Sequence, residues 1–156
     1  MTANAAEIRR MCAADIEQVM AIAVSLKDVP QWRRAAYVSA LDNDSTPRRI
    51  ALVAEEPDGS TMAGFAVASF LPPQAELETI AVLAAEQRRG IGRKLFFVLV
   101  DELRAAAASE FLLEVRASNQ KALGFYRSLG WIEAGRRPRY YADPEEDAVL
   151  MSLALG

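Results

Sequence analysis

The chain predicts an α+β (α/β) fold in a single domain, residues 1–156, with a mixed central sheet of about seven strands flanked by four helices. Three observations lead there. Apolar residues fall into strand-like runs and helically spaced stretches in the order β-α-α-β-β-β-α-β-α-β-β. A full helical stretch separates the fourth strand from the fifth, and such a crossover implies a parallel pair. No internal repeat and no Gly/Ser-rich linker divides the chain.

Taken in order, Ile8 to Met11 reads as a first strand, and Asp15 is placed to cap a helix carrying Ile16, Val19, Met20, Ala23 and Val24 to about Lys27. Pro30 then opens a shorter helix through Trp32, Ala35, Ala36 and Val38, which the polar run Asp42 to Pro47 ends. Ile50 to Glu55 and Met62 to Leu71 are strands joined by the turn residues Pro57-Asp58-Gly59-Ser60, and Pro72-Pro73 stops the second. Glu76 to Val82 is the fourth strand. Gly90 or Ile91 begins a long helix with Ile91, Leu95, Phe96, Val98, Leu99 and Leu103 inward, and Ala105 to Ala108 is its tail. Phe111 to Val115 is a fifth strand, short and apolar on both faces, which suits a central position. Ser118 or Asn119 caps a helix with Ala122, Phe125, Tyr126 and Leu129, closed by Gly130, and Trp131 to Arg136 and Ala148 to Ala154 are the last strands.

Composition excludes several chemistries. Histidine is missing and Cys12 is the single cysteine. No intramolecular disulfide, no Ser-His-Asp or Cys-His nucleophile and no zinc site built on His or clustered Cys can form, so acid-base work falls to Glu, Asp, Tyr, Lys or water. Cys12 itself reads as packing. The formal charge of −3 offers no general attraction to nucleic acid or to an anionic membrane. Met1 to Met11 lacks a basic segment followed by a long apolar one, and Leu95 to Val100 is too short to span a bilayer, so a soluble cytoplasmic protein is expected.

Gln87-Arg88-Arg89-Gly90-Ile91-Gly92 follows the strand ending at Val82 and opens a helix. Unpaired N–H groups and the helix dipole make such a junction an anion cradle, and glycine lets the main chain approach a phosphate closely. A diphosphate-bearing ligand is the first expectation. A Walker A loop is excluded, because Arg93-Lys94-Leu95 supplies no Ser or Thr for magnesium; a G-x-G-x-x-G fingerprint fails at Leu95. A plain loop before a helix is the bland alternative.

What remains, Q-x-x-G-x-G after a strand, resembles the pyrophosphate signature of the GCN5-related (GNAT) acetyl-CoA-dependent N-acetyltransferases. The likeness extends through Glu114-Val115-Arg116-Ala117-Ser118-Asn119, Phe125-Tyr126-Arg127-Ser128-Leu129-Gly130-Trp131, Arg136-Arg137-Pro138-Arg139-Tyr140-Tyr141 and Glu146 to Met151, which resemble the ribosomal-protein-alanine N-acetyltransferase subfamily. The matching stretch is Leu77 to Leu153; Val29-Pro30-Gln31-Trp32 departs from the subfamily's F-P-W-[ST] element beside the acceptor groove.

The resemblance implies that the fourth and fifth strands splay around acetyl-CoA, with Ile80, Ala81 and Val82 holding its acetyl-pantetheine arm through backbone groups. Arg88, Arg89, Gly90, Ile91, Gly92 and Arg93 would cradle the pyrophosphate and Asn119 would touch coenzyme A. Glu114 would be the general base and Tyr126 the general acid, without any metal. On its residues alone, Glu114 is either a base in an apolar strand or a solvated partner of Arg116, and Tyr126 either a proton donor or a packed core ring. Glu78 is a rival base, and Glu76 and Glu78 could instead favour a cationic acceptor. Arg136, Arg137 and Arg139 read as a solvated hairpin, with Tyr140 and Tyr141 at the peptide entrance by resemblance. The implied acceptor is a protein N-terminal amine, that of the alanine of a small-subunit ribosomal protein, with no nucleic acid and no membrane as partner. A lysine or small-molecule amine, or a non-catalytic coenzyme A-binding module, are the alternatives.

Overall fold

The computed structural model describes residues 5–156 and so leaves out the first four residues of the amino-terminal stretch read above for a leader. Its strands are β1 (Glu7–Arg10), β2 (Arg48–Glu55), β3 (Met62–Leu71), β4 (Gln74–Val82), β5 (Glu110–Arg116), β6 (Ile132–Tyr141) and β7 (Glu146–Ala154). The helices are α1 (Ile16–Ser25), α2 (Arg34–Ala40), α3 (Ile91–Ala105) and α4 (Gln120–Ser128). They build one sheet in the order β1-β2-β3-β4-β5-β7-β6, in which β4 and β5 are parallel and the other neighbours antiparallel. The mixed fold and the crossover through α3 are as the sequence predicts. No helix among the described residues is long and apolar enough to cross a membrane.

Two apolar clusters occupy the two faces of this sheet. On one face α3 buries Ile91, Leu95, Phe96, Leu99, Val100 and Leu103 against β2, β3 and β4, with Phe96, Phe111 and Trp131 in ring contact. Val100 takes the inward place expected of Val98, which is only partly buried. On the other, α1 and α2 bury Ile16, Val19, Ile22 and Tyr37 against Val53, Phe65 and Val67.

The local departures have identifiable causes. Asp15 does not cap α1 with its side chain; its carboxylate accepts the Cys12 N–H at 2.8 Å and both terminal nitrogens of Arg9 at 2.8 Å, closing a 3₁₀ turn before the helix. The second helix begins at Arg34 rather than Pro30, because Gln31 donates to the Ala23 carbonyl at 2.7 Å and to that of Val29 at 2.9 Å, holding the preceding segment off the helix. Trp32 therefore lies in a loop, its ring tilted against Tyr37 at 5.1 Å, and Val38 points out. At the hairpin Gly59 takes φ +73°, and Gly130 ends α4 at φ +97° as expected of a C-terminal glycine.

Arg9 holds the buried Asp15 carboxyl down at about 2, against an ordinary 3.8. The folded-state value is depressed, so this contribution is complete above about pH 4 and lost as pH falls toward 2. Since Arg9 is partly exposed, the expected loss for Asp15→Asn is about 1–2 kcal/mol at neutral pH, fading toward pH 2, as read by urea unfolding at several pH values.

Candidate active site

β4 and β5 pair over Gln74↔Glu110, Ala75↔Phe111 and Glu76↔Leu112 only, although β4 runs on to Val82 and β5 to Arg116. The strands part at Glu76. Just beyond it the β3 register skips, with Leu77 opposite Ala68 and Thr79 opposite Val67, so Glu78 is the extra residue of a β-bulge. A bulge bends its strand and reverses the alternation of side chains. Ala75 and Leu77 face the α3 side before it, and Ile80 and Val82 face that side after it.

The open edge of β4 is where a ligand's polar groups could be met. The Leu83 N–H donates to Ala63 O at 2.8 Å, so the two-residue period turns the main-chain groups of Ile80 and Val82 away from β3, toward the gap. Ala81, opposite Phe65, directs its own main chain to β3 and buries its side chain. Gly64 makes that close pairing possible, since a Cβ there would stand 2.4 Å from Ala81 O.

The turn from β4 to α3 is built from left-handed residues and a glutamine tie. Arg88 has φ 69° and Gly90 φ 78°, and the first helical bond runs from Lys94 N to Gly90 O at 3.0 Å. The N–H groups of Ile91, Gly92 and Arg93 thus precede that bond and project from the helix start. Gln87 donates to Val82 O at 3.0 Å and accepts from Lys121 of α4, joining the strand end to the next helix. Arg89 is drawn to Glu56, at 2.7 Å, and to Glu86, so its side chain braces the loop. Gly92 leaves room for the Phe125 ring, which a Cβ would approach to 3.2 Å. Ile91 is buried in the core, and Arg93 lies over Phe97 at 5.5 Å.

Glu114 lies on a strand that alternates, contrary to the expectation of two apolar faces. Phe111, Leu113 and Val115 are buried toward α3, while Leu112, Glu114 and Arg116 sit half-exposed on the opposite side, where β5 borders the gap. The Glu114 side chain is 21% exposed. Its Oε2 is buried without a hydrogen-bond partner, and Arg137 Nε stands 4.0 Å away, beyond hydrogen-bond reach. Arg116 is not its partner; it binds Glu146 at 3.3 Å and lies over the Tyr141 ring at 4.4 Å.

Other ionisable groups converge on Glu114. Partial desolvation, then the charges of Glu78 and Glu114, push the carboxyl of the otherwise exposed Glu76 up, against the pull of Arg137. The charge of Glu114 chiefly raises the Tyr140 hydroxyl; burial and then Glu114 raise that of Tyr141. Burial, with Tyr141 adding to it, pushes the Tyr126 hydroxyl up to about 12, so it is a phenol throughout the neutral range. Tyr126 also packs on Trp131 at 5.9 Å, so packing and a position near Tyr141 coexist. Asn119 caps α4 by accepting the Ala122 N–H at 3.1 Å. Sequence reasoning missed the approach of Arg137 to Glu114 and the buried, unpartnered Thr79 hydroxyl after the bulge; neither has a local sequence signal.

A sheet opened between parallel central strands beside a glycine turn defines an α/β fold with a ligand-sized cleft at the strand ends. The chain belongs to the acetyltransferase (GNAT) family, whose model matches residues 16–131. It is 44% identical over 96 residues to the [ribosomal protein bS18]-alanine N-acetyltransferase of Escherichia coli (strain K12), a match covering 60% of this chain and 65% of that relative. A Bacillus subtilis (strain 168) relative is 32% identical over 150 residues, 96% of each chain. Among solved structures, the crystal structure of the ribosomal-protein-S18-alanine N-acetyltransferase from Escherichia coli superposes with TM-score 0.82 at 32% identity, covering 97% of this chain and 94% of that one.

Gly64→Ala tests the close strand pairing behind the gap. Its methyl group would meet main chain rather than a mobile side chain, so β4 must shift. We expect destabilisation of about 1–3 kcal/mol by urea unfolding and weaker coenzyme A binding by calorimetry. Unchanged affinity would mean that the position of β4 does not set the ligand site.

Proposed function

We propose that the protein is an acetyl-CoA-dependent N-acetyltransferase acting on a protein N-terminal α-amine, with the N-terminal alanine of a small-subunit ribosomal protein as its substrate. The observation that carries this is the parting of β4 from β5 beyond Glu76, which leaves the Ile80 main chain and the Val82 N–H turned from β3 toward the gap that Glu114 of β5 borders. The acceptor is carried over from the Escherichia coli relative, an alanine N-acetyltransferase of ribosomal protein bS18.

The residues fit a thioester carrier bearing a diphosphate. The N–H groups at the start of α3, with Arg88 and Gly90 in left-handed conformation, would take the diphosphate, and the open edge of β4 would take the amide-bearing arm. Acetyl-CoA supplies an activated acyl group, whose C–S bond is exchanged for an amide C–N bond. Glu114 takes the ammonium proton of the acceptor, directly or through water, and so frees the nitrogen lone pair. A main-chain N–H of the open β4 edge donates to the thioester carbonyl. Tyr126, held as a phenol, returns a proton to the departing sulfur. Glu76 adds negative charge near Glu114 and favours a cationic acceptor.

Mass spectrometry of peptides beginning with Ala, Ser, Met or Gly, and of a lysine control, tests the acceptor class. Acetylation of the α-amine, foremost of the alanine peptide, is expected; acetylation confined to lysine would overturn it. Glu114→Gln and Tyr126→Phe should each lower kcat by roughly 10²- to 10⁴-fold in a thiol-release assay with little change in coenzyme A affinity. Wild-type turnover of Glu114→Gln at neutral pH would remove the base assignment.

A further inference from the structure

Glu78 is held in a way that a proton acceptor would not require. It is the extra residue of the β4 bulge, two residues past the last β4–β5 register pair, Glu76↔Leu112. Arg49 of β2 lies opposite Ser69 of β3, which in turn lies opposite Glu76. From there its Nε reaches across the whole of β3 and donates to Glu78 Oε2 at 2.8 Å. The two side chains are only 23% and 18% exposed, so solvent competes weakly for this charge-assisted bond.

Geometry gives the pair a task. A bulged residue is free of the ladder that holds its neighbours, and its conformation sets the bend at which β4 continues along β3 from Thr79 to Val82. Here the segment beyond is Ile80 to Val82, whose main-chain groups border the gap. We propose that Arg49 and Glu78 are a positioning pair, a strut across β3 that sets the bulge and so aims the Ile80 and Val82 main chain at the acyl carrier, with Glu78 taking no proton in the reaction. This rests on the acetyltransferase reading above. It also separates the two glutamates of β4: Glu78 is committed to its bond with Arg49, whereas Glu76 forms no ion pair among the described residues and is left to act on the acceptor side with Glu114.

The test is a double-mutant cycle read in coenzyme A affinity by calorimetry, together with steady-state kinetics and pH profiles. Arg49→Ala and Glu78→Ala should each weaken coenzyme A binding by about tenfold and raise KM for acetyl-CoA, while KM for the acceptor peptide stays put. The double variant should be no worse than either single one, because one bond is lost in all three. Glu78→Gln keeps an acceptor oxygen for Arg49, so affinity, kcat and the acid limb of the pH profile should remain near wild type; Arg49→Lys should recover part of the affinity. Loss of turnover in Glu78→Gln with affinity intact would make Glu78 a base and overturn the proposal, as would single effects that simply add. Coupled coenzyme A binding in a wild-type protein that acetylates no amine would support the strut and defeat the acetyltransferase reading.

Discussion

The structure turns on the place where two parallel strands stop sharing hydrogen bonds. Inside a sheet, main-chain N–H and C=O groups are normally paired, and leaving them unpaired away from water is costly. Here β4 and β5 share register over three residue pairs and then diverge, so the end of β4 carries polar groups whose partner strand has moved away. Gln87 satisfies the Val82 carbonyl, and water or a ligand must satisfy the rest. The bulge at Glu78 is the local cause, because it bends β4 and exchanges its two faces just where pairing with β5 ends.

Around this gap the fold separates two kinds of chemistry on opposite sides. Toward α3 lie the glycine turn, the helix start and the Gln87 tie to α4, a neutral and cationic setting suited to an anionic carrier. Toward α1 and α2 lie Glu76 and Glu114, with Tyr140 and Tyr141 from the last hairpin, suited to an ammonium. Nearby charges are largely matched: Arg49 by Glu78, Arg116 by Glu146, Arg139 by Glu145. Glu114 is different. Its Oε2 is buried with no hydrogen-bond partner, Arg137 stands at ion-pair range, and the Tyr140 hydroxyl is drawn to the same carboxylate.

Much of this was legible in the sequence, for physical reasons. Apolar spacing exposed α3, which is buried on one side, and continuous apolar runs exposed β2 and β3, which are buried on both faces. Gly90 and the Gln87 hexapeptide marked the turn because a left-handed N-cap needs glycine and the helix start needs none of its neighbours. The first half was harder. Pro30 suggested a helix that Gln31 prevents by bonding back to α1, and Asp15 looked like a cap while serving Arg9. The strut from Arg49 to Glu78 spans a strand between them, and the approach of Arg137 to Glu114 joins β6 to β5; such pairings depend on register, which no local spacing encodes. Gly92 was legible as part of the anion turn but not as the space that Phe125 fills.

A crystal structure of the protein with coenzyme A tests the central claim most directly. The pantetheine arm is expected in the gap between β4 and β5, bonded to the main chain of Ile80 or Val82, with the diphosphate on the N–H groups from Arg88 to Arg93. A carrier bound elsewhere, or β4 and β5 closed into a continuous ladder beyond Glu76, would contradict it.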